Sequence, residues 1–389
     1  MKVWKLLSLL FIFIFALSSV NVAHGALGVT ATIHVGDNPD GVAYDSGKGE
    51  IFVGNSGDNT VSVISDSSNT VVANVSVGAK PSGLAYDSNT NEIWVTNNGA
   101  GTVSVISDTT NTVIANITVG NNPIGVAYDS VMREMFVANW GSNTISVISD
   151  SNYTVLTTIQ VGYNPIGVVF DSGKNEIFVA NSDSRGFAGT VSVILDRTNV
   201  VAATITVDYN PYYLAYDISK GEIFVANAGS GTVSVIADNT NAVVNTITLP
   251  AGSGPYNLAI DSPKGLIFIT SGNSGIYSTI SVVSENTNSI VTNITKGYNP
   301  HGIAYDESKD AVFVANNADG AVIVISDSSN TTGSSSPTAS PSQTKNQSSF
   351  SPFLEGVIAI AILAIVLSIF SILISRRKAK PTQKNRVFD

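Results

Sequence analysis

Between Val29 and Asp327 the apolar positions fall in short runs, each interrupted by Gly, Asn, Asp, Ser or Pro. Runs of that length, rich in Val, Ile and Phe and bounded by turn-forming residues, read as β-strands. Four kinds recur in a fixed order. Strand A is Gly41-Val42-Ala43-Tyr44, strand B is Ile51-Phe52-Val53, strand C is Thr60-Val61-Ser62-Val63-Ile64, and strand D runs from Val72 to Val77. A and B are apolar at successive positions, as in strands covered on both faces. D alternates, with Asn74 and Ser76 on one side and Val75 and Val77 on the other, the pattern of a half-solvated edge strand.

The order A-B-C-D repeats along the chain. A Tyr-Asp pair or its near equivalent ends strand A at Asp45, Asp87, Asp129, Asp171, Asp217, Asp261 and Asp306, in steps of 42, 42, 42, 46, 44 and 45 residues. A period in this range built only of β-type runs is the signature of propeller blades. The expected fold is all-β: a seven-bladed β-propeller of four-stranded antiparallel blades, over residues 26–327. The last copy has no D strand after Asp327, while Val29 to Val35 reads as a D strand with no blade before it. The N-terminal strand is therefore expected to complete the seventh blade, closing a ring that leaves only short protected edges.

Both ends of the chain are different in kind. Residues 1–25 open with Lys2 and Lys5, continue as an apolar run from Leu6 to Leu17 and end at Ala23-His24-Gly25. This reads as a secretory signal peptide, with an uncleaved anchor as the competing reading. Residues 328–352 are rich in Ser, Thr, Pro and Gln and read as a solvated stalk. In residues 353–375, the stretch from Gly356 to Ser375 carries no charge and is long enough to cross a bilayer as a helix. The tail, residues 376–389, opens with Arg376, Arg377 and Lys378, which places it in the cytoplasm and the propeller outside. The expectation is a single-pass protein of the cell membrane with an extracellular propeller.

Charged residues make up only 12% of the chain, and the formal net charge is −10. Nucleic acid is an unsuitable partner for such a surface, since phosphate binding needs a basic patch. There is no cysteine, so the exported part folds without disulfides.

The repeat resembles the YVTN family of β-propellers, found in archaeal surface-layer proteins and related bacterial secreted proteins. The resemblance rests on Trp94-Val95-Thr96-Asn97 and on Phe52-Val53-Gly54-Asn55, Phe136-Val137-Ala138-Asn139, Phe178-Val179-Ala180-Asn181, Phe224-Val225-Ala226-Asn227 and Phe313-Val314-Ala315-Asn316. Blade six departs with Phe268-Ile269-Thr270-Ser271. The flanking Pro-x-Gly and Thr-Val-Ser-Val-Ile elements match as well. The resemblance implies the fold and an envelope location; it implies no particular activity, because propellers host unrelated functions.

Seven equivalent Asp and Asn residues cannot all serve one site on a pseudo-symmetric ring. Capping of turns through nearby backbone N–H groups accounts for them. The two histidines that follow the expected signal peptide, His34 and His301, supply no His-rich metal site. Asp87-x-Asn89-x-Asn91 has the first half of a calcium loop but Glu92 where the Gly belongs. No metal, no cofactor and no catalytic constellation is expected.

The loops entering strand A break the symmetry. Their variable positions carry Asp37, Asp40, Lys80 and Ser82 in blades one and two, and Ile124 and Ile166 in blades three and four. From blade four onward they bring Tyr163, Tyr209, Tyr212, Tyr213, Tyr256, Tyr298 and His301, with Asn164, Asn210, Asn257 and Asn299 as neighbours. Two readings stand. The rings cluster at the channel mouth to stack on sugars or grip a peptide, or each ring packs on its own blade.

N-glycosylation sequons occur at Asn74, Asn116, Asn152, Asn293, Asn330 and Asn346. Three of them share one strand-D position, on the expected outer rim. The function expected is non-enzymatic: an envelope, surface-layer, adhesion or ligand-binding module whose partners are cell-wall or surface glycans or another surface protein, held to the membrane by its C-terminal helix. The alternative is a lactonase-like or quinoprotein-like propeller acting on or binding an external small molecule.

Overall fold

The computed structural model describes residues 27–272 and 278–327. In them the chain forms 28 strands in seven four-stranded sheets. Strand β1 spans Leu27–His34. Strands β2–β5 (residues 39–76) form blade one, β6–β9 (81–118) blade two, β10–β13 (123–160) blade three, and β14–β17 (165–206) blade four. Strands β18–β21 (211–248) form blade five, β22–β25 (255–294) blade six, and β26–β28 (300–327) three strands of blade seven. The fourth strand of blade seven is β1, which runs antiparallel to β28 from Leu27↔Asp327 to His34↔Ala321. The innermost strands touch in sequence order and close the circuit where β26 meets β2. The propeller and the closing N-terminal strand are as expected from the repeat.

Each blade is built from the same local chemistry. In blade one the strands are Pro39–Asp45, Glu50–Asn55, Thr60–Ser65 and Thr70–Ser76, within one or two residues of the runs read from the sequence. The connections end on a residue in the left-handed region, such as Gly49 (φ 70°), Asn59 (φ 58°) and Asn69 (φ 52°). Gly and Asn adopt that conformation with least strain, and this explains the abundance of both in the chain.

The core lies between blades. Each B strand carries one large aromatic (Phe52, Trp94, Phe136, Phe178, Phe224, Phe268 or Phe313), and all seven are fully buried. Phe178 and Val193 of blade four pack with Ile223 and Val225 of blade five, and Ile51 of blade one packs with Phe313 of blade seven. The buried polar atoms are tied in a repeated network: Asn55 Nδ2 donates to Thr60 Oγ1 (3.0 Å) and Ser62 Oγ (2.9 Å), and Ser62 Oγ donates to Asn74 Oδ1 (2.8 Å). Asn97, Ser104 and Asn116 repeat it in blade two.

Every D strand is bulged. In blade one Val63 opposes Ala73 and Ile64 opposes Val71, which leaves Val72 off the ladder. Strand β1 shifts register in the same way around Thr30. A bulge on an edge strand twists it away from foreign strands, so the closing strand carries the same edge protection as the other six.

Among the described residues no helix is long and apolar enough to cross a membrane. The signal peptide expected over residues 1–25, the expected stalk, the helix expected over residues 353–375 and the basic tail all lie outside the described residues.

Ring closure gives a prediction. Deleting residues 27–34 strips β28 of its outer partner and exposes Val322, Val324 and Ile325 to water. The shortened protein is expected to lose cooperative thermal unfolding or to associate through the bare edge. Calorimetry with light scattering on the two forms checks this, and an unchanged monomeric melt would show that β1 is dispensable.

Candidate functional site

Two register shifts organise each blade, one at the rim and one at the axis. In blade one Pro39 pairs with Asn55 and Val42 with Val53, so Asp40 and Gly41 together oppose Gly54. The shift recurs at the start of all seven A strands. A bulge of this kind re-aims a side chain out of the ladder. Here the re-aimed residue is the one after the proline, which is Asp40, Ser82, Ile124, Ile166, Tyr212, Tyr256 or His301 according to the blade.

These seven residues, of five types, converge. Six of them line one cavity of about 460 Å³, together with Ser56, Lys80, Pro81, Asn98, Asn122 and Trp140. The seventh, His301, lies flat on Tyr256 with ring centroids 4.2 Å apart and an interplanar angle of 15°. Tyr256 also meets Tyr212 (5.2 Å) and Tyr213 (5.6 Å). Tyr213 occupies the position that is Gly in most blades, which adds a further ring to the axis on that side.

Asp40 is the polar centre of the group. Its Oδ1 accepts from His301 Nδ1 (3.0 Å) and Tyr256 OH (3.3 Å), and its Oδ2 accepts from Ser82 Oγ (2.8 Å). The contacts join blades one, two, six and seven. A carboxylate can only accept, so the imidazole carries its proton on Nδ1, and Nε2 accepts from Asn299 Nδ2 at 2.9 Å. Both ring nitrogens are thus engaged. Burial, with Asp40 nearby, raises the phenol pKa values of Tyr213 and Tyr256, which keeps both hydroxyls protonated as donors.

The structure divides the seven ring residues expected from the sequence. Tyr212, Tyr213, Tyr256 and His301 come together across blades five, six and seven, so neither expected arrangement holds for the whole set. Tyr163, Tyr209 and Tyr298 stand apart at the loop tips, 49%, 52% and 69% exposed. Tyr163 lies under the Arg185 guanidinium, 3.5 Å from its centroid, in the longer B–C loop of blade four. Asp40, Ser82 and the two isoleucines are members of the site that the aromatic pattern did not select. The signal that finds them is their common place in the Pro-x-Gly register.

The opposite face carries the repeated aspartates, and there they act as turn caps. Asp45 Oδ1 accepts from Gly47 N (2.9 Å) and Lys48 N (3.1 Å), and Asp87 Oδ1 accepts from Asn89 N (2.8 Å) and Thr90 N (3.2 Å). The calcium-like run at Asp87 is therefore an Asx turn. Among the described residues no three His, Cys, Asp or Glu side chains are grouped to hold a metal ion. In blade two Tyr86 stands over the blade-one turn, its hydroxyl close to Gly47. Blade six has Ile260 in that place, and Glu285 stands against Asp217 instead. Burial first, and then Asp217, raises the Glu285 carboxyl to about 7.

The sequon residues lie away from the axial cavity. Asn74, Asn116 and Asn293 sit on rim strands with Oδ1 accepting from Ser62, Ser104 and Ser281 at 2.8, 2.8 and 2.9 Å. Asn152 is in a C–D turn, where Thr154 Oγ1 donates to its Oδ1 (2.6 Å). Asn330 and Asn346 are outside the described residues.

Neither a protein-family model nor a curated protein sequence matches this chain. Among solved structures it is similar to the hydrazine synthase of Kuenenia stuttgartiensis, with a TM-score of 0.68 at 16% identity, over 80% of this chain and 99% of that chain. A likeness at that identity is one of fold alone.

Two predictions follow from the two faces. Replacing Asp40 with Ala leaves Ser82, Tyr256 and His301 without their shared acceptor, and about 1–3 kcal/mol of unfolding free energy should be lost. The exposed neighbour Asp37→Ala should change stability by less than about 0.5 kcal/mol in the same urea titration. Separately, burial raises the carboxyl pKa values of Asp45, Glu92, Asp129, Glu134, Glu176, Asp261 and Glu285. The folded state then holds more protons than the unfolded state from the ordinary carboxyl range up to about 7, so this contribution is lost as pH rises. The urea midpoint is expected to be higher at pH 5 than at pH 8, with a shallower slope in Glu285→Gln.

Proposed function

We propose that this protein is a non-enzymatic ligand-capture propeller of the cell surface, whose axial cavity takes a sugar. The reading is carried by one observation, the lining of a single cavity by six of the seven bulged A-strand residues. A volume of about 460 Å³ falls in the range of small-ligand sites. The wall combines aromatic faces from Tyr212, Tyr256 and Trp140 with the amides of Asn98 and Asn122 and the carboxylate of Asp40. Aromatic faces stack on the C–H face of a pyranose, while amides and carboxylates bond its hydroxyls.

The arrangement around His301 favours binding over catalysis. Its two nitrogens are taken by Asp40 and Asn299, and no hydroxyl is placed against it to be activated as a nucleophile among the described residues. Asp40 serves to hold three donors in place.

The surface location rests on the sequence: a leader over residues 1–25, a stalk, an apolar span over residues 353–375 and a basic tail. The YVTN-like repeat is consistent with an envelope or surface-layer setting. Glycans at Asn74, Asn116, Asn152 and Asn293 would cover the rim and the far face, leaving the axial mouth open.

Titration of the full-length protein with a panel of glycans, including its own cell-wall fraction, tests the reading. Tyr212→Ala is expected to weaken saturable binding by about tenfold or more, with a cooperative melt lowered by no more than a few degrees by loss of its contact with Tyr256. Tyr209→Ala, at an exposed loop tip, should bind as the unaltered protein does. Binding that survives in Tyr212→Ala would move the site away from the axis.

A further inference from the structure

The six short loops that lead into an A strand each contain one residue in the left-handed region just before the proline. Five of these residues are asparagines: Asn38 (φ 51°), Asn122 (φ 51°), Asn164 (φ 53°), Asn210 (φ 50°) and Asn299 (φ 55°). The sixth is Lys80, at φ 54°. Asparagine tolerates this backbone, whereas lysine, with a Cβ and a long stem, is disfavoured there. Asparagine also fastens the loop: Asn122 Nδ2 donates to Asn98 O (3.3 Å) and Asn164 Nδ2 to Trp140 O (3.4 Å), each on the preceding blade. A lysine cannot reproduce that short bridge. Lys80 thus departs from the repeat at a position where the repeat's own residue is the better structural choice.

What Lys80 does instead is line the axial cavity. Its stem passes over Gly99, where a Cβ would lie 3.3 Å from Lys80 Cγ. Lys80, itself exposed, belongs to the lining with Asn98, Asn122 and Tyr212. Among the described residues no carboxylate lies within ion-pair distance of its ammonium group. Asp40, the acid of the cavity, is already engaged by Ser82, Tyr256 and His301. A cation without a carboxylate partner beside a ligand cavity is suited to an anionic group brought by the ligand.

We propose that Lys80 anchors a carboxylate, and that the axial site takes an acidic sugar, a uronic acid unit of a polysaccharide. The inference rests on the sugar-capture reading and adds the charge class of the ligand. A uronate presents a carboxylate for Lys80, hydroxyls for Asn98, Asn122 and Ser82, and a C–H face for Tyr212 and Tyr256. A peptide carboxylate fits less well. Capture by strand addition needs an open sheet edge, and the inner edge of each A strand is closed by the neighbouring A strands at the axis.

Calorimetric titration of the full-length protein with oligouronates and with their methyl esters tests the assignment, since esterification removes the charge and keeps the ring. The acids are expected to bind at least about tenfold tighter than the esters, as for loss of a charge-assisted hydrogen bond. Lys80→Asn should reduce the acids to the level of the esters without lowering the melting temperature, and Lys80→Arg should retain the preference. Equal binding of acid and ester, both weakened by Tyr212→Ala, would overturn the role of Lys80 and leave sugar capture standing. Absence of binding by every acidic and neutral sugar would overturn both. Lys80-dependent binding of peptides with a free carboxylate, with none of uronates, would overturn the sugar class.

Discussion

At Gly41, Gly83, Gly125, Gly167 and Gly302 the innermost strands come so close that a Cβ would lie 2.0–2.5 Å from a carbonyl oxygen of the next blade. No side chain fits there. The close approach of neighbouring backbones lets seven sheets meet around one axis and forces the extra residue of each A strand out of the ladder. The residue after the proline then has only the axis to point to. Fold and site therefore share a cause. The bulge that permits tight closure is also what gathers one side chain from every blade.

Blades five and six depart from this pattern, and the departure shapes the cavity. Tyr213 and Asn257 replace the glycine, and the Tyr213 and His301 rings pack on Tyr256, which lines the cavity with Tyr212. The opposite wall, from blades one to three, is polar or aliphatic except for Trp140 of blade three. A ring of near-identical repeats has in this way become one-sided at its centre. Thr96 and Thr270 hold the adjoining backbones in register: their hydroxyls donate to Ile124 O (2.6 Å) and His301 O (2.7 Å) on the following blade.

Away from the axis the repeat is nearly uniform, and its residues serve the ring itself. Buried aromatics fill the wedges between blades, the Asn-Ser network pairs polar atoms that would otherwise be stranded, and bulges protect the edges. The aspartates of the far face cap turns in every blade. Where Ile260 displaces the usual tyrosine, Glu285 answers by sharing a proton-rich contact with Asp217. Local substitutions are compensated locally because each blade touches only its two neighbours.

Periodicity alone determined the seven blades, the strand order, the closing role of the N-terminal strand and the structural use of the repeated Asp residues. Those features follow from local propensity and from a pattern copied seven times. Which loop residues belong together was not legible in the same way. Tyr163, Tyr209 and Tyr298, two residues before a proline, match Tyr212 and Tyr256, one residue after it, in type, yet one set stands at loop tips and the other at the axis. Asp40 and His301, 261 positions apart, meet only because the ring closes. Residue identity specifies what a side chain can do; the one-residue register shift at the start of each A strand, set by backbone packing across blades, decides where it does it.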